Sequence, residues 1–131
     1  MSSRKITKLE SSLDRLLGEA SWLLSHAQSL ADYGRKEEAA AELARAASCE
    51  EQVAYLLDVV GREPEAAIHR ISAASCYEQL GGYARAVTLL RAALSAQLAN
   101  GYRGKVEQQL SNCLARATTH KGSPPTARKL A

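Results

Sequence analysis

From Ala74 to Leu94 the apolar spacing of a helix runs to Leu80, breaks at Gly81-Gly82 and resumes through Tyr83. A connection that short forces the two helices to lie antiparallel and side by side. Tyr77 sits six residues before Tyr83, and Ala86, Leu90 and Ala93 follow at helical spacing. Small residues therefore alternate with large ones along the contact. No other stretch restricts the fold as tightly.

Read the same way, the chain divides into five helical segments and no strand. The first runs from about Ile6 or Ser11 to Tyr33, with Leu9, Leu13, Leu16, Leu17, Ala20, Leu23, Ala27 and Leu30 on one stripe, and Gly34 stops it. The second opens with Glu37 and Glu38, which suit the positive end of a helix dipole. It carries Ala39, Leu43, Ala46, Val53, Leu57 and Val60 inward, reads as continuous through Cys49, and ends at Gly61. Pro64, tolerated in a helix's first turn, starts the third, whose apolar side is Ala67, Ile68, Ile71, Ala74 and Leu80. The fourth spans Tyr83 to about Leu98, with Ala86, Val87, Leu90, Ala93 and Leu94 inward. Asn100-Gly101 reads as a turn. The fifth, from about Arg103 to Thr118, buries Val106, Leu110, Cys113, Leu114 and Ala117. Residues 1–119 thus form one helical domain. Residues 120–131 carry two prolines and no apolar period, and read as a disordered basic tail. The expected architecture is an all-α, five-helix antiparallel array of two hairpins plus a C-terminal capping helix.

Ala74, Tyr77, Gly81, Ala86, Leu90 and Ala93, with Tyr83 among them, have an upstream counterpart in Ala27, Leu30, Gly34, Ala39, Leu43 and Ala46, which lacks both aromatics. This order of small, aromatic, Gly, aromatic, Ala, large and Ala across a helical hairpin resembles the tetratricopeptide repeat (TPR) over about residues 20–98. The spacing from Gly34 to Gly81 is 47 residues, longer than the family's period of about 34, because the second helix overruns. Leu23 stands at the family's Trp position and Leu98 at its closing Pro.

The resemblance implies a binding scaffold rather than a catalyst, in which the first helix of each pair lines a concave groove. Carried over by position, the groove residues are Ser21, Leu24, Ser25, Gln28 and Asp32 in the first pair, and Ile68, Ile71, Ser72, Ser75, Glu78 and Gln79 in the second. Members that clamp a partner's C-terminal carboxylate use Lys, Asn and Arg at several of these positions, and none of the eleven is basic or Asn here. Leu24, Ile68 and Ile71 instead suit an apolar helix or strand as ligand.

The net charge of +3 is unevenly placed. Residues 36–66 hold Glu37, Glu38, Glu42, Glu50, Glu51, Asp58, Glu63 and Glu65 against Lys36, Arg45 and Arg62, whereas residues 101–131 hold Arg103, Lys105, Arg116, Lys121, Arg128 and Lys129 against Glu107 alone. That polarity would suit head-to-tail self-association, and the expected oligomer is a homodimer, the commonest closed assembly. Cys49, Cys76 and Cys113 are odd in number and far apart, which describes no disulfide framework. The N-terminus lacks the apolar run of a signal peptide and no stretch approaches spanning length, so a cytoplasmic setting is expected.

Other chemistries have weaker sequence support. His69, in the segment HRISA, resembles faintly the His-x-Leu-Lys-Gly pattern of histidine phosphotransfer bundles, but Ser72 and Ala73 replace the Lys and Gly. His69 with Cys76, and Cys113 with His120, could each share a helix face, yet no pair has a zinc site's short spacing. Glu37-Glu38 and Glu50-Glu51 read as acid pairs on exposed faces. The basic C-terminal third offers nucleic acid only salt-sensitive phosphate contacts. No phosphate loop, zincin helix or nucleophile triad is present. The expectation is a non-catalytic protein-interaction module, adaptor or self-associating scaffold, with no cofactor and no metal.

Overall fold

The computed structural model describes residues 3–122. They form α1 (Ser3–Asp32), α2 (Lys36–Val59), α3 (Glu63–Gln79), α4 (Tyr83–Leu94) and α5 (Asn100–Gly122), with no strand among the described residues. Each helix packs substantially only on its neighbours in the chain, so the fold is an open antiparallel array rather than a closed bundle. α2 is continuous through Cys49. α5 passes the domain boundary drawn at residue 119 and ends at Gly122; the rest of the stretch read as a tail lies outside the described residues.

Three identical corners make this array. Gly34, Gly61 and Gly81 have φ of 77°, 80° and 82°, left-handed backbone that a Cβ disfavours. Each glycine N–H returns to the carbonyl three residues back, on Ala31, Asp58 and Glu78. The following N–H reaches five back, from Arg35, Arg62 and Gly82 to Leu30, Leu57 and Tyr77, at 2.9, 2.8 and 2.7 Å. These paired bonds satisfy carbonyls that a helix end otherwise leaves orphaned. The residue after each glycine then opens the next helix, its carbonyl accepting from Ala39, Ala66 and Ala86. All three alanines are buried. In the first two corners an arginine also grips a glutamate three residues on: Arg35 donates to both Glu38 oxygens at 2.6 and 2.7 Å, and Arg62 pairs likewise with Glu65.

Two cores result, and α3 belongs to both. Leu13, Leu16, Ala20 and Leu23 of α1 pack with Ala46, Val53 and Leu57 of α2 and with Ala66 and Cys76 of α3. On its other side α3 offers Ala67, Ile71 and Ala74 to Ala86, Leu90 and Ala93 of α4 and to Val106 and Cys113 of α5. The buried alanines leave little between the helix backbones, so close approach supplies the packing.

Two expectations about α4 and α5 need correction. α4 stops at Leu94, not near Leu98, because its last turn tightens through Ser95 and Ala96 bonding to carbonyls three residues back. The Arg103 guanidinium donates to the Leu94 and Ala96 carbonyls, both at 2.9 Å, and so caps the helix end. Asn100-Gly101 is not a free turn but the first turn of α5. N–H groups there lack intrahelical partners in any case, and the first helical bond is Arg103 N–H to the Ala99 carbonyl.

Ala86 is fully buried at the α3/α4 contact. Ala86→Leu is expected to overpack it and cost about 1–3 kcal/mol, read by urea denaturation followed by circular dichroism. An unchanged midpoint would show that the contact has room to spare.

Candidate functional site

Unequal helix lengths leave a notch at one end of the array. α1 and α2 have 30 and 24 residues, α3 and α4 only 17 and 12. At 1.5 Å per residue, α2 outruns α3 by roughly 10 Å. Because the short corner at Gly61 aligns their other ends, the excess appears where α1 meets α2. On the far side Arg116 of α5 donates to the Tyr83 hydroxyl at the first residue of α4, at 3.1 Å. α5 continues six residues beyond that point, about 9 Å. Two overhangs thus stand above the Gly81-Gly82 corner.

Beside the α1–α2 overhang lies a depression of about 390 Å³, lined by Leu24, Ala27, Gln28 and Ala31 of α1, by Lys36, Ala39, Ala40 and Leu43 of α2, and by Gln79 and Leu80. Its floor is alanine and leucine; its polar groups are two amides and one ammonium. Three of the eleven carried-over residues, Leu24, Gln28 and Gln79, meet here. The other α1 positions, Ser21, Ser25 and Asp32, are exposed, and Gln28 donates to Asp32 at 2.9 Å. On α3, Ile71 is buried in the second core, Ser72 is half-buried and Ile68 is exposed. Ser75 and Glu78 accept hydrogen bonds from Gln109 of α5, at 3.1 and 3.0 Å, so α5 partly covers them. The α2 side of the depression was missed: Ala39 and Leu43 read as core, and nothing singled out Ala40 or Lys36.

A polar seam joins α2 to α3 and α4. Glu50 is buried, the one such charged residue among those described, which corrects its reading as part of an exposed acid pair. A carboxylate only accepts, so the His69 Nδ1–H donates to Glu50 Oε1 at 3.0 Å. Its neighbour Glu51, half-buried, accepts from the Tyr77 hydroxyl at 2.7 Å and from Arg85. Arg70 pairs with Asp58. Burial first, then the bond to Glu51, raises the Tyr77 phenol above its usual range. A second depression, of about 480 Å³ beside Tyr55 and Tyr77, is lined by Glu51 and Arg85, whose charges already satisfy each other.

These contacts change how the charge pattern reads. Of the eight acids between residues 36 and 66, Glu38, Glu42, Glu50, Glu51, Asp58 and Glu65 are hydrogen-bonded within the chain. At the basic end, Arg103 caps α4 and Arg116 bonds to Tyr83. Most of the sequence polarity is therefore used inside the fold.

His69 keeps a quarter of its side-chain surface, but its Nδ1 is tied into the seam. The three thiols are free and buried. Burial, with the nearby Glu50 charge, pushes Cys76 up to about 11; burial, with the charge and hydrogen bond of Glu78, does the same for Cys113. Among the described residues, no three His, Cys, Asp or Glu side chains are grouped to hold a metal ion. No helix there is long and apolar enough to cross a membrane.

In comparisons with known proteins, no family model matches the chain, and neither does any curated protein or solved structure.

Two outcomes follow from the seam and the thiols. His69→Ala strands the buried Glu50 carboxylate and is expected to cost about 3 kcal/mol, whereas His69→Gln, which keeps a donor, recovers most of it. Equal losses in the two variants would show that the hydrogen bond is not what the site needs. With pKa values of about 11, Cys76 and Cys113 are almost wholly protonated at pH 8. Iodoacetamide, which attacks the thiolate, should label them orders of magnitude more slowly in folded than in urea-unfolded protein.

Proposed function

We propose that this chain is a non-catalytic, TPR-like protein-interaction module whose notch receives the apolar side of a partner's helix or strand. The observation that carries this is the depression itself, an open surface floored by Leu24, Ala27, Ala31, Ala39, Ala40, Leu43 and Leu80 at the Gly34 end of the α1–α2 hairpin. An apolar depression edged by a few polar groups is the kind of place where a partner's side chains dock. The hydrogen-bonding supports a binding role over a catalytic one. Every buried side-chain nitrogen and oxygen among the described residues has a partner, and the strongest polar groups are occupied in the seam.

The TPR-like character rests on the residues that carry the resemblance, together with an antiparallel array of paired helices that is compatible with a helical repeat. A cytoplasmic site of action is part of the same proposal, supported by three free thiols placed in the cores rather than in disulfides.

Ala40 is exposed on the notch wall, so Ala40→Arg fills the depression without disturbing either core. Capture from source cells by wild type and by Ala40→Arg, analysed by mass spectrometry, tests the proposal. A partner retained by the wild type and lost by the variant, at unchanged melting temperature, is the expected result. Retention that is indifferent to Ala40→Arg would move the binding site elsewhere.

A further inference from the structure

We propose that Nε2 of His69 is a phosphoryl-acceptor site, modified by an activated donor of the acyl-phosphate class. The site lies on the α2–α3 seam, and the proposal is independent of the notch. A carboxylate can only accept, so the 3.0 Å bond between Glu50 Oε1 and His69 Nδ1 puts the proton of the neutral imidazole on Nδ1. The lone pair then belongs to Nε2. No side chain among the described residues bonds to Nε2, and every buried side-chain nitrogen there has a partner, so Nε2 meets solvent. A quarter of the His69 side chain is exposed, against 5% of Glu50. A nucleophile at the surface, oriented by a carboxylate beneath it, is the arrangement that covalent chemistry at histidine uses.

Attack forms the Nε2–P bond while the donor's P–O bond breaks, its electron pair leaving on the released carboxylate. No proton moves: Nδ1 keeps its hydrogen, and the ring becomes a cation. That positive charge develops beside Glu50, where burial makes the attraction stronger than in water. Glu50 has no cationic partner besides His69 among the described residues, so its whole charge serves the imidazole. The other charged groups around His69 are neutralised in pairs: Glu65, one turn earlier on α3, by Arg62, and Arg70 by Asp58 of α2. His26 has the same geometry with a weaker partner. Its Nδ1 donates to Glu42 at 3.1 Å, but Glu42 also accepts from Arg45, and 17% of its side chain is exposed. With 41% of its own side chain exposed, His26 is the more open of the two, so accessibility and charge predict opposite orders of reaction.

Acetyl phosphate, a small acyl phosphate, is the probe. The full chain is incubated with it near neutral pH, and the phosphorylated positions are located by mass spectrometry under conditions that spare the acid-labile N–P bond. His69 is expected to acquire the phosphoryl group several-fold faster than His26, despite its lower exposure. Glu50→Gln leaves a carbonyl to accept from Nδ1–H and removes only the charge. It should bring His69 down to the rate of His26 while leaving His26 unchanged, which marks Glu50 as a positioning residue rather than a structural one. Urea-unfolded wild type, which needs no variant to fold, should show no preference between the two histidines. Absence of the adduct at His69, or equal rates at His26 and His69 in the folded chain, overturns the proposal. So does a preference that survives urea, or one that survives Glu50→Gln in a chain that circular dichroism shows to be folded.

Discussion

A left-handed glycine at each of the first three corners holds this array together, because everything else depends on where the chain reverses. The two hydrogen bonds that close each corner bring the end of one helix and the start of the next within a residue of each other. Helix pairs are then antiparallel by necessity, and an alanine five residues after each glycine falls at the tightest point of the contact. Ala39, Ala66 and Ala86 are the same position in three copies of one device. The helices can pack on alanine because the corners have already brought them close, and the long side chains of α1 and α2 fill what remains.

α3 has a different importance. It is the helix that supplies buried residues to both cores, and the seam of Glu50, His69, Glu51, Tyr77 and Arg85 runs along its border with α2. A buried carboxylate is costly unless paired, so the seam adds little net stability compared with an apolar substitute. What it supplies is register: a slide of one turn between α2 and α3 would part His69 from Glu50 and leave the carboxylate without a donor. Alanine-lined contacts tolerate sliding more readily than interlocked large side chains, and the polar seam removes that freedom.

The five helices were legible because glycines and apolar stripes report on neighbours in the chain, and all the substantial packing here is between such neighbours. Ala86, Leu90 and Ala93 could be placed from spacing alone. The third equivalent corner does not show in a register that aligns Gly34 with Gly81 over 47 residues; Gly-Arg-x-x-Glu-Ala at both 34–39 and 61–66 marks Gly61 as the same device. The end of α4 depended on Arg103, nine residues beyond Leu94, reaching back to its carbonyls, which no local pattern encodes. Glu50 looked exposed because its burial is set by a histidine on another helix. Of the candidate site, Leu24, Gln28 and Gln79 followed from the resemblance, while Ala40 and Lys36 did not. Their exposure comes from α3 ending early, a comparison of lengths rather than a property of either residue.

Packing confined to chain neighbours also gives the molecule a graded opening. Relative contact order is low in such an array, which favours fast folding and lets parts open without the whole. α4 and α5 can separate from α3 while the α1–α2–α3 core stays closed, and α1 can peel from α2 while the second core persists. Amide protection should then peak in α3, which both halves must release, and decline toward α1 and α5. The terminal helices are the cheapest parts of this protein to rearrange, and the middle helix is the last to let go.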